Sequence, residues 1–107
     1  MDELVQRLSE GLHPVEVSLR PQRTIEAFRD CLARGFVLVK FTGTRGGTEL
    51  GFRLDSERSD TREAASESAT GTVRLAGELT LNYERVRCIA DVKLPSLEGE
   101  GRLEVLS

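Results

Sequence analysis

GTVRLAGELTLNYERVRCIADVKLPSLEGEGRLEVLS, residues 71–107, decides the fold. Val73, Leu75, Leu79, Leu81 and Tyr83 fall on one parity, and Arg74, Glu78, Thr80 and Glu84 fall on the other. Successive side chains of a strand point to opposite faces, so this alternation builds one apolar face and one wet face. Gly77 interrupts the apolar set without changing its phase, which favours one long bent strand over two short ones. A second strand follows from about Val86 to Leu94, with Val86, Cys88, Ala90, Val92 and Leu94 inward. Pro95 and Ser96 turn the chain, and Leu103 and Val105 lie on the inward side of a last strand.

Upstream of this sheet the period changes. Leu4, Val5, Leu8 and Leu12 recur at helical spacing over residues 2–10, Asp2 and Glu3 suit the positive helix end, and Gly11 can stop it. Val15, Val17 and Leu19 alternate with Glu16, Ser18 and Arg20 as a strand that Pro21 ends. A second helix runs from Pro21 or Thr24 to Arg34, striped by Ile25, Phe28, Cys31 and Leu32, with Thr24 as N-cap and Gly35 as stop. Residues 36–42, FVLVKFT, carry large hydrophobes on both parities and are expected deep in the sheet, covered on both faces. The glycine-rich turn at residues 43–47 then leads into a strand with Leu50, Phe52 and Leu54 inward.

Between the two halves lies DSERSDTREAASESAT, residues 55–70, without one large apolar side chain. We expect a mobile polar loop there, in preference to a linker or a solvated helical turn at residues 61–66. The chain is thus one α+β domain over residues 1–107. Two helices pack on a curved, largely antiparallel sheet of about six strands that curls toward a partly closed barrel. At 107 residues one core is expected, built from Leu and Val with Phe28, Phe36, Phe41, Phe52 and Tyr83, because Trp is absent.

Composition narrows the chemistry. Fifteen basic against 18 acidic residues leave a net charge of -3, with no basic block, which argues against nucleic acid as a partner. Lys occurs only at Lys40 and Lys93, an arginine bias that suggests GC-rich bacterial coding. The N-terminus lacks the charged and apolar regions of a secretory signal, and no apolar run is long enough to span a bilayer. A soluble, cytoplasmic protein is expected.

No catalytic kit assembles from the residues. His13, the single histidine, sits beside Pro14 at a helix-to-strand junction. Cys31 and Cys88 are too far apart in sequence for a metal knuckle or redox motif and read as small core residues. No cofactor or metal is expected. The loop around Arg45 lacks the lysine and the following helix of a phosphate-binding loop, so a hairpin turn explains its glycines. Asp55, Glu57 and Asp60 are followed by the wrong residues for a calcium loop.

Arg74, Arg85 and Arg87, together with Arg45, are the candidate binding residues, and Arg53 joins them on a polar parity. Cross-strand ion pairing with Glu78 and Asp91 accounts for most of this pattern; an arginine-lined face for an anion or acidic protein is the functional alternative. The leading expectation is a non-catalytic accessory protein that binds a protein partner, or itself as a homodimer, through a sheet edge or face. A small apolar or anionic ligand held in a cavity inside the curved sheet, for carriage or for cofactorless catalysis, is the alternative. Anion or nucleic-acid binding by the arginines ranks third.

Overall fold

A computed structural model describes residues 2–19 and 22–106; the stop expected at Pro21, the polar position of Arg20 and the terminal Ser107 lie outside these. Nine elements follow one another. They are α1 (Glu3–Ser9), β1 (His13–Val17), α2 (Ile25–Arg34), β2 (Phe36–Phe41), β3 (Thr48–Arg53), α3 (Arg62–Ala65), β4 (Gly71–Leu81), β5 (Glu84–Leu94) and β6 (Glu98–Val105). The six strands form one antiparallel sheet in the order β3-β2-β1-β6-β5-β4, nearly closed into a barrel. The α+β class and the strand number agree with the alternation read from the sequence.

Each helix starts and stops for a visible reason. Asp2 caps α1 by accepting hydrogen bonds from the Leu4 and Val5 amides. Thr24 caps α2 through Oγ1, which accepts from the Ala27 amide at 3.1 Å. Gly35 ends α2 at φ 74°, where its amide donates back to Cys31 and Leu32. Val5, Leu8 and Phe28 are wholly buried in the same cluster as Val17, Val39, Phe41, Leu75 and Leu103. The helices therefore pack against the inside of the curled sheet, in one cluster with the inward residues of the strands.

β4 is a single strand, as the preserved phase implied. It pairs with β5 without a break from Gly71↔Leu94 to Leu81↔Glu84. Val73, Leu75, Ala76 and Gly77 are buried, while Arg74, Glu78 and Thr80 are exposed. Gly77 is required where it stands. A Cβ there would lie 2.1 Å from the Arg53 carbonyl oxygen and 2.4 Å from the Phe52 ring, so only glycine lets β3 and β4 come together.

Four expectations are corrected. Tyr83 is fully exposed, because the alternation runs on into a two-residue turn, Asn82-Tyr83, where φ is 49° and 67°. Phe36 is 44% exposed. β2 is covered on one face only: Val37, Val39 and Phe41 are buried, while Leu38 and Lys40 are half-buried on the outside. Leu19 lies past the end of β1, which begins earlier than expected, at His13.

Residues 55–70, expected to lack anchors, include the short helix α3 and are fastened at several points. The Asp60 amide donates to the Arg74 carbonyl and the Arg74 amide to Asp60, both at 2.8 Å. The Ser59 hydroxyl donates to the Ala76 carbonyl and accepts from the Ala76 amide. Arg29 of α2 donates to the carbonyls of Ala64 and Ser66 at 2.7 and 2.8 Å. Ala64 and Ala69 are buried, so two small apolar groups hold what no large one does.

Candidate functional site: the open seam of the barrel

An antiparallel strand turns its backbone groups alternately toward its two neighbours. Arg74 and Ala76 of β4 face away from β5, since their backbone groups bond Asp60, Ser59 and Asp55. The same two-residue repeat turns the amides and carbonyls of Glu78 and Thr80 outward. On the opposite margin, Leu54 donates to Gly35 and therefore faces β2, which leaves Glu49, Gly51 and Arg53 of β3 facing out.

The two margins meet at one point. The Asp55 amide donates to the Ala76 carbonyl at 2.8 Å, with Gly77 packed against Arg53 and Phe52. Beyond it no ladder pairs β3 with β4, and they remain the two edges of the sheet. A groove of about 500 Å³ opens between them, lined by Phe36, Gly51, Phe52, Arg53, Leu79 and Arg85 among others. The Phe36 ring lies over Gly51, where a Cβ would come within 2.8 Å of it. The seam is thus a zipper fastened at one end, with free strand edges and a partly exposed aromatic ring along its open length.

Of the four candidate arginines, only Arg85 and Arg87 converge, both on Glu78. Arg74 is locked to Asp91, opposite it on β5, by two hydrogen bonds of 2.8 and 2.9 Å, and this pairing raises its pKa. Arg85 reaches Glu78 at 3.3 Å beside the seam. Arg87 bridges Glu78 and Glu104 across three strands, and its hydrogen bond holds the Glu104 carboxyl below the usual carboxylate range. Its buried Nε has no hydrogen-bond partner. Arg45 stands apart, exposed at the β2–β3 turn, where Gly46 and Gly47 adopt positive φ as a hairpin requires. Among the described residues, Arg45 and Arg53 make no ion pair. The ladder of Arg74, Arg85 and Arg87 accords with cross-strand pairing on a wet face, where each exposed pair contributes about 0.2–1 kcal/mol.

No other chemistry gathers. The His13 ring is hydrogen-bonded to the Glu10 carbonyl and set edge-on to Phe41. Cys88 is buried, which pushes its thiol up to about 12, and Cys31 is half-buried on α2. Among the described residues no cluster of His, Cys, Asp and Glu could hold a metal ion, and no helix is long and apolar enough to cross a membrane.

Sequence reasoning missed two exposed aromatic residues, Phe36 at the groove and Tyr83 at the β4–β5 turn, by placing both in the core. The signal was present for Tyr83: Asn-Tyr stands where a two-residue hairpin turn favours Asn-Gly. Nothing comparable marks Phe36. Neither a known protein family nor any curated protein matches the chain.

Proposed function

We propose that this chain is a non-catalytic accessory protein that works by protein–protein contact at the open seam. One observation carries the proposal: β3 and β4 are joined at Asp55–Ala76 and unpaired beyond it, beside a groove that exposes Phe36. Free strand edges are templates for another strand, and proteins that do not use them shield them with charges, proline or short length. On β4 the shielding stops where Ser59 and Asp55 stop, at Ala76. The packing of Val5, Leu8 and Phe28 into the interior cluster favours this function over carriage of a small ligand within the sheet.

A photo-crosslinking amino acid in place of Phe36 tests the proposal in the producing cell. Protein adducts are expected at position 36 and not at Lys93, an exposed outer-face control on β5. Adducts at both positions alike, or at neither, would refute it.

A further inference from the structure

The free edge of β4 ends in Leu79-Thr80-Leu81, a run symmetrical about Thr80, just before the turn at Asn82. We infer that the partner at the seam is a second copy of this chain, its β4 added antiparallel to β4 about a two-fold axis at Thr80. The inference rests on the edge-docking function proposed above and specifies its occupant.

The available length sets the register. Upstream, the outward groups of Ala76 are already taken by Asp55 and Ser59; downstream, the chain turns at Asn82 and Tyr83. Pairing centred on Thr80 keeps the turn of the second copy clear of that occupied edge. A centre at Leu79 would drive Asn82 of the second copy onto the occupied edge of Ala76. A centre at Leu81 would leave Glu78 unpaired.

In the Thr80 register the two Thr80 residues form a hydrogen-bonded pair and exchange both N–H···O bonds. Leu79 meets Leu81 of the second copy in a non-hydrogen-bonded pair, the closer kind for side chains. Leu79 and Leu81 are half-buried in the single chain, so the pairing covers apolar surface that the fold leaves wet. Glu78 lies toward the turn of the second copy, and no like charges are paired between the strands; a threonine pair at the axis is favourable across strands.

The contact is short against the ~800 Å² per partner of a standard interface, so dimerisation in the range of about 10 µM is expected. Sedimentation equilibrium of the full chain and of Thr80→Lys tests it. Two ammonium groups at the axis should weaken dimerisation at least tenfold, whereas Thr72→Lys, outside the free run on the same edge, should not. If Thr80→Lys fails to fold, Thr80→Cys in a Cys31→Ser background gives an independent reading. A Cα separation of about 5.5 Å allows a disulfide, so mild oxidation should link the chains at position 80 and not with cysteine at 72. A chain monomeric up to roughly 1 mM would overturn the inference, as would a dimer indifferent to Thr80→Lys with no link at position 80. Neither result touches the seam proposal if position 36 still crosslinks to a different polypeptide. Absence of any adduct at 36 would sink that proposal separately.

Discussion

Substituting alanine for glycine separates the joined end of the seam from its open length. At Gly77 the new methyl would sit 2.1 Å from the Arg53 carbonyl oxygen, more than an ångström short of ordinary contact. That oxygen belongs to a paired strand and cannot rotate aside. Overpacking costs about 1–3 kcal/mol, and a contact with fixed backbone belongs near the top of that range. Replacing glycine within a strand returns about 0.5–1 kcal/mol of backbone entropy, leaving a net loss of about 2 kcal/mol. At Gly51 the methyl would also come close, at 2.8 and 2.9 Å, but to the ends of the Phe36 and Leu38 side chains. Phe36 lies at the groove and can swing outward, so Gly51→Ala should fall within about 0.5 kcal/mol of wild type. In urea, with a slope of about 1.5 kcal/mol per molar, Gly77→Ala should lower the unfolding midpoint by roughly 1.3 M. A Gly77→Ala protein within about 0.5 kcal/mol of wild type, or less affected than Gly51→Ala, would refute the closure at Gly77.

Three further outcomes follow from the same structure. Tyr83→Gly should stabilise the dilute, monomeric protein by about 0.5–1 kcal/mol, because the left-handed backbone costs a side chain about 1–2 kcal/mol and glycine returns part of that as unfolded-state entropy; a lower melting temperature would contradict it. Glu104, with its pKa lowered chiefly by the Arg87 hydrogen bond, contributes stability that is full above its ordinary 4.5 and is lost as pH falls through the lower folded value. Wild type should accordingly exceed Glu104→Gln in stability by a constant margin at neutral pH, shrinking in acid, and a margin that grew on acidification would show the sign to be wrong. Iodoacetamide near neutral pH should modify one thiol of the native chain, at Cys31, and both thiols in denaturant, as burial keeps Cys88 protonated; native labelling of Cys88 would contradict its burial.

Alternation made the back half legible. Its phase survives Gly77, and the interleaving of Arg74 and Arg87 with Glu78 and Asp91 that it implied takes form as Arg74 opposite Asp91 and Glu78 opposite Arg87 on β4 and β5. Helix caps at Thr24 and Gly35 were equally readable, because one residue type meets one local need. The seam was not. Parity says which face a side chain takes, and it is silent on where two strands stop pairing. It also carried Tyr83 inward, since a two-residue turn leaves the count of alternation intact. Residues 55–70 escaped for a different reason: their anchors are Ser59, Arg29 and two alanines, and a search for large apolar residues passes over all of them. Arg45 matched the other arginines in type, and only the sheet order shows how far from their ladder its turn lies.

Amide hydrogen exchange along β4, followed as concentration rises, tests the central claim most directly. Arg74 and Ala76 should be protected throughout, their amides being bonded to Asp60 and Ser59. Glu78 and Thr80 should exchange fast in dilute solution and slow markedly as the protein is concentrated. Protection of both at every dilution would mean that the barrel is zipped shut, and fast exchange at every concentration would mean that no second strand takes the edge.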